Sequence, residues 1–138
     1  LATAFSRILT MLNAPQVLAS FLSGIISSRI SFLILLNIVL LILGMFIDGA
    51  PAILILSPLL MPIAQQFGID PVHLGIIMVC NLAVGLASPP FGLNLFVASS
   101  TNGAPIMEIS RKVVPFILAF LVALILITFV PSISLCLV

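Results

Sequence analysis

The sequence predicts an all-α integral membrane chain, and three observations carry that prediction. Of the 138 residues, 63% are hydrophobic and 5% charged, whereas a soluble domain has roughly a quarter charged residues. Mean hydropathy is +1.52. The apolar residues gather into long segments that meet the roughly 20-residue requirement of a membrane helix. Two of these segments are interrupted near their centres, by FIDGAP and by GLASPPFG. Three acidic groups against four basic ones leave a net charge of +1, which supplies neither a basic field for nucleic acid nor an acidic tail for a basic partner. Trp and Tyr are absent, so the water boundaries are read from charges and breaks rather than from an aromatic belt. Cys80 and Cys136 lie far apart in apolar surroundings, without the short spacings of metal or redox sites. They read as buried free thiols, and no transition metal is expected. The start at Leu1 has no basic region ahead of a short apolar core, so no signal peptide is expected. That start, and an apolar run reaching the last residue, lead us to expect a piece of a longer polypeptide.

The first element, residues 1–29, places Phe5, Ile8, Leu9 and Leu12 on one helical face, breaks at Ala14-Pro15 and resumes with Val17, Leu18, Phe21, Leu22, Ile25 and Ile26. It reads as the end of a membrane helix (1–13) followed by an amphipathic helix (15–28) near an interface, with Pro15 in its first turn. One kinked spanning helix is the alternative. The second element, 30–67, is too long for one crossing and is interrupted at 47–51, so it must bend or turn back. The third, 71–101, is broken over 85–92. The fourth, 113–138, contains an unbroken apolar run suited to one plain spanning helix. Glu108, Arg111 and Lys112 read as part of a polar loop before it. Arg111 and Lys112 vote for a cytoplasmic loop. By charge alone a spanning second element is favoured, because it puts Arg29 on the same side as those two.

Unwound backbone at membrane depth persists only where protein covers it or where it lines a polar cavity. Each break is also a helix start: Pro51 suits a first turn, and Ser88 followed by Pro89 reads as an N-cap and first helical residue. Helix starts expose N–H groups and the positive end of a dipole, which attract anions. The preceding helix ends, Gly44 to Ile47 and Val84 to Ala87, leave carbonyl oxygens that suit a small hard cation. Asp48 is an acid at membrane depth with no Lys or Arg inside the apolar runs. Such a group faces a cavity or a bound cation, or it simply caps the helix near Pro51. Two consecutive prolines between Gly85 and Gly92 favour full unwinding over a kink. Asn94 points into the same cavity or serves as interhelical glue, and Asn81 has the same two readings. His73, after Asp70-Pro71, reads as an exposed interfacial imidazole.

The order GMFIDGAPAILILSPLLMPIA, a short loop with Gly68-Ile69-Asp70-Pro71, then NLAVGLASPPFGLNLFVAS resembles the C-terminal part of the large membrane subunit (DctM type) of tripartite ATP-independent periplasmic (TRAP) transporters, within a wider ion-transporter superfamily. The resemblance implies the second inverted repeat of an elevator-type transporter: an arm helix, a re-entrant helical hairpin, a discontinuous membrane helix and a final spanning helix. It overrides the charge count. It also implies Na⁺-driven uptake of an organic acid, such as a C4-dicarboxylate or sialic acid, across the bacterial inner membrane by a multi-pass protein. The implied partners are the remainder of the large subunit, a small membrane subunit, a periplasmic binding protein and the lipid bilayer. No cofactor is implied beyond Na⁺ as coupling ion. On this reading Ile47, Asp48, Gly49, Ala50, Gly85, Ala87 and Ser88 bind Na⁺, while Pro51, Ser88, Pro89, Pro90, Gly92 and Asn94 border the substrate cavity. The first repeat is absent, so the chain is expected to hold half a site.

A rival reading is a segment of an intramembrane aspartyl protease, which needs two carboxylates of divergent pKa. Asp70 and Glu108 read as loop residues, leaving Asp48 without a second acid at depth, and no enzyme is expected. A purely structural helix-packing subunit is the third reading, although it would gain nothing from unwinding.

Overall fold

A computed structural model describes residues 28–136 without interruption, together with Ala4, Ile8, Met11, Leu12, Asn13, Val17 and Ser20. The helix end and arm helix expected over 1–29 therefore lie, but for isolated positions, outside the described residues. The described chain forms α1 (Arg29–Phe46), α2 (Gly49–Gln66), α3 (Pro71–Ala87), α4 (Leu93–Asn102), α5 (Ile106–Phe129) and α6 (Pro131–Leu135). No strand occurs among the described residues. By length and apolarity α1, α2 and α5 can each cross a membrane, and α3 is a shorter apolar helix.

Local chemistry sets the helix ends. Ser28 Oγ accepts the Ile30 N–H at 3.3 Å and starts α1. That helix stops at Ile47, whose extended backbone (φ −123°, ψ 137°) still returns its N–H to Leu43 O. α2 contains Pro58 and Pro62 and closes with a left-handed Gly68 (φ +68°). There Gly68 N–H donates to Gln65 O and Ile69 N–H to Ala64 O, both at 3.0 Å, the paired bonds that satisfy the last carbonyls of a helix. Two residues on, Asp70 Oδ1 accepts the N–H groups of Val72 (2.8 Å) and His73 (3.4 Å), and Pro71 occupies the first helical position of α3.

α3 is the axis of the fold. It buries His73, Leu74, Ile77, Met78, Asn81, Leu82, Val84 and Gly85, and every other described helix packs against it. Phe32 stacks on Phe67 with ring centroids 4.8 Å apart, so the start of α1 and the end of α2 lie together and the two helices form a hairpin. α1 runs parallel to α3, with Asn37 opposite Asn81 and Gly44 against Leu82 and Gly85. α5 runs antiparallel, since His73 near the start of α3 meets Thr128 near the end of α5. Away from this core, Phe116, Leu118, Val122 and Val97 are more than half exposed, an apolar outside that only lipid or further membrane helices can cover.

Four expectations need correction. Glu108, Arg111 and Lys112 belong to the first turns of α5, not to a loop; Glu108 pairs with Lys112 at 2.9 Å, one helical turn away. The unwound part of the third element is 88–92, with Gly85 and Ala87 still helical. His73 is buried, because the α3 cap turns its ring inward to the last turn of α5. Cys136 is exposed and Cys80 half-buried, both free.

Candidate functional site: two helix breaks side by side

The hairpin tip is short. Only Ile47 and Asp48 leave the helical conformation, and Gly49, Ala50 and Pro51 form the first turn of α2. Asp48 caps that helix, its Oδ1 accepting the Gly49 N–H at 2.8 Å and its backbone carbonyl accepting Ala52 N–H at 3.2 Å. The carboxylate is exposed. Its second oxygen has no hydrogen-bond partner among the described residues. Nor does a described donor reach the carbonyl oxygens of Gly44, Met45, Phe46 and Ile47. The tip thus presents one free carboxylate oxygen and a group of free carbonyls, oxygen donors of the kind that could hold a hard cation.

The second break differs from the sequence reading. Ser88 ends α3 instead of starting α4: its N–H donates to Gly85 O at 2.9 Å and its hydroxyl to Val84 O at 2.7 Å. Pro89 and Pro90 follow, joined by a cis peptide bond, and neither has an N–H to continue the ladder. The chain returns through Gly92, whose N–H donates to Ser88 O at 2.9 Å. A Cβ on Gly92 would lie 2.6 Å from the carbonyl oxygens of Leu86 and Ser88, so only glycine fits the turn. Gly92 is also the N-cap of α4 and has no side chain to cap it, which leaves the Leu93 and Asn94 N–H groups free for an external acceptor. Of the carbonyls expected to be free here, Ser88 occupies those of Val84 and Gly85, and those of Leu86 and Ala87 remain.

Parallel packing brings the two breaks to one level. A Cβ on Gly85 would sit 2.7 Å from the Gly44 Cα and carbonyl carbon, so α1 and α3 touch backbone to backbone one turn before both break. Beyond that crossing, Phe46 and Phe91 meet with ring centroids 5.0 Å apart. An apolar crevice of about 380 Å³ beside the break is bounded by Leu41 and Met45 of α1, Ser88 and Pro89, and Val114 and Ile117 of α5. Its walls are almost wholly apolar and offer a carboxylate no free donor. Asn94 lies elsewhere, exposed at a crevice shared with Ala83, Val84, Ala87 and Phe120.

Residues 1–133 match the family described as Tripartite ATP-independent periplasmic transporter, DctM component. The chain belongs to this family. Among curated relatives of this TRAP permease family, the C4-dicarboxylate TRAP transporter large permease protein DctM of Pseudomonas aeruginosa is 46% identical over 136 residues, covering 99% of this chain and 32% of that protein. The isethionate TRAP transporter permease protein DctMQ of Oleidesulfovibrio alaskensis is 44% identical over 133 residues, 96% of this chain and 21% of that protein. The sialic acid TRAP transporter large permease protein SiaM of Vibrio cholerae is 36% identical over 133 residues, 96% and 31% respectively. The chain thus spans between about a fifth and a third of the length of these relatives. These TRAP relatives are transporter permeases, not enzymes. With three helices able to cross a bilayer, the chain is part of a multi-pass membrane protein.

Sequence reasoning missed a group below the breaks. Asn81 Nδ2 donates to Asn37 Oδ1 and Ile77 O, both at 2.8 Å, and Thr128 Oγ1 donates to Asn37 Oδ1 at 3.2 Å. The fourth member, His73 Nε2, lies 3.2 Å from Thr128 O. Asn37 and Thr128 are legible as polar residues inside apolar runs. That they meet is a tertiary fact.

Proposed function

We propose that this chain is the C-terminal part of the large membrane subunit of a Na⁺-coupled TRAP importer, and that its two helix breaks form half of the ion and substrate site. The observation that carries the reading is the meeting of the hairpin tip with the broken helix, where unsatisfied carbonyls and unsatisfied N–H groups lie at one level. Ile47, Asp48, Gly49, Ala50, Gly85, Ala87 and Ser88 make up the Na⁺ side, with the free carbonyls of Ile47 and Ala87 and the free Asp48 oxygen as its ligands. Gly85 contributes by holding α3 against α1. Pro51, Ser88, Pro89, Pro90 and Gly92 shape the helix starts that face the substrate carboxylate, and the Leu93 and Asn94 N–H groups are its donors.

The substrate is an organic acid. The relatives described above are named for C4-dicarboxylates, isethionate and sialic acid, which share an anionic group suited to a helix N-terminus. On this reading the hairpin over 30–67 is re-entrant, the element over 71–101 is the discontinuous membrane helix, 113–138 closes the repeat, and 1–29 contains the arm that links the scaffold to the moving domain in an elevator mechanism. The remainder of the large subunit completes the site, a small membrane subunit joins the complex, and a periplasmic binding protein delivers substrate to it at the bacterial inner membrane. The test is uptake by the complete reconstituted complex with Na⁺ replaced by choline at fixed substrate and membrane potential. Uptake should collapse; unchanged uptake would refute Na⁺ coupling.

A further inference from the structure

The hydrogen bonds below the breaks link three helices in a circuit that the α3 backbone closes. Asn81 of α3 donates to Asn37 of α1, Thr128 of α5 donates to the same Asn37 oxygen, and His73 of α3 meets the Thr128 carbonyl. Asn37 Nδ2 is held in turn by Leu33 O at 2.7 Å. His73, Asn81 and Thr128 are each at most 1% exposed. The circuit is not a complete match of donors and acceptors, because His73 Nδ1 and Asn81 Oδ1 have no partner.

Its position gives it a task. The residues that α1 buries are Phe32, Leu33, Leu36, Leu40 and Gly44; Gly44 fits against Gly85 in one register only, but the leucines before it fit a helical neighbour almost as well after a slip of one turn. Such a slip moves α1 by about 5.4 Å. That is as large as the 5.0 Å between the Phe46 and Phe91 rings, so it would part the hairpin tip from the broken helix. The Asn37–Asn81 pair has no such tolerance, since a slipped Asn37 would keep its bond to Leu33 O but face apolar side chains with its amide oxygen unpaired. We propose that Asn37, Asn81 and Thr128, with His73, are positioning residues that fix the register of α1 against α3 and α5 and so hold the two breaks opposite each other. The effect on ion affinity rests on the function proposed above, whereas the effect on register does not.

The experiment uses the complete complex in membranes. In a background with Cys80 and Cys136 replaced by Ser, Phe46→Cys and Phe91→Cys are joined by a short bismaleimide, and the rate of joining reports the register. The Na⁺ titration of uptake is measured without those two cysteines. Asn37→Leu should slow cross-linking and raise half-saturating Na⁺, each by about three- to tenfold, the factor one net hydrogen bond commands. Thr128→Val should move both in the same direction, and Thr128→Ser, which keeps the hydroxyl, should restore both. Parental cross-linking in Asn37→Leu and Thr128→Val, with only expression or melting lowered, would overturn the inference. If Asn37→Leu does not accumulate, Thr128→Val decides by the same criteria. A parent complex whose uptake ignores Na⁺ overturns the proposed site instead, and cross-linking alone then decides the register.

Discussion

Asp48 performs two tasks that substitutions can separate. Its Oδ1 caps α2 through Gly49 N–H, while its charge and free oxygen are available to a cation. Asn caps about as well as Asp, so Asp48→Asn should leave the melting temperature of the purified complex nearly unchanged and raise half-saturating Na⁺ about tenfold, the cost of roughly 1.4 kcal/mol. Asp48→Ala should add a stability loss of about 1 kcal/mol from the missing cap. A parental Na⁺ titration in both variants would reduce Asp48 to a cap. The glycines separate in the same way. Gly85→Ala would press a methyl group into the Gly44 backbone and should destabilise by about 1–3 kcal/mol. Gly75, exposed on α3 with nothing within 4 Å of an added Cβ, should tolerate Ala with a gain of about 0.5–1 kcal/mol. Thermal melting of both variants checks the pair, and equal effects would mean that the α1–α3 crossing is looser than described.

Among the helices, the caps argue for unequal strength at the starts of α1 and α3. Asp70 gathers two N–H groups at the start of α3, while Ser28 gathers one at 3.3 Å for α1. Asp70→Ala should therefore cost about 1–2 kcal/mol and Ser28→Ala about 0.5 kcal/mol, measured as shifts in denaturation of the complex in detergent; the reverse order would refute this ranking. The Asp70-Pro71 start of α3 and the FIDGAP break were legible because Asp and Pro act through their immediate neighbours. The break at 88–92 was legible in place but not in polarity. Ser88-Pro89 has the composition of a helix start, yet the second proline and Gly92 delay α4 until Leu93, so the serine turns back to Val84. The start of α5 was misplaced for a related reason: Glu108 and Lys112 look like loop residues one by one and support a helix as a pair one turn apart.

At the scale of the whole chain, the hairpin places Arg29 at the end of the bundle opposite Arg111 and Lys112. α1 and α2 share one end through Phe32 and Phe67, the finish of α5 lies near it through His73 and Thr128, and the break at Ser88 and Pro89 lies level with Val114 and Ile117. A cysteine at Arg29 and one at Lys112, each placed in a background free of Cys80 and Cys136, should react with an impermeant maleimide from opposite sides of the membrane. Reaction of both from one side would mean that the second element spans and that the hairpin arrangement does not hold in the bilayer. The polar circuit of Asn37, Asn81, Thr128 and His73 also belongs to this scale. Two of its atoms are buried without partners, at a cost of about 1–3 kcal/mol each, so stability alone is a poor reason for it and register is a better one.

The sequence by itself determined the membrane class, the two places where helices stop and the acid beside one of them. Composition, proline and capping chemistry act within a few residues of the chain, and a one-dimensional reading can follow them. Only the tertiary structure decided that the breaks lie side by side, that His73 is buried, and that Asn37, Asn81 and Thr128 meet. Those facts depend on the crossing of α1 over α3 at Gly44 and Gly85, a backbone contact between residues far apart in the chain, and no local propensity encodes such a contact.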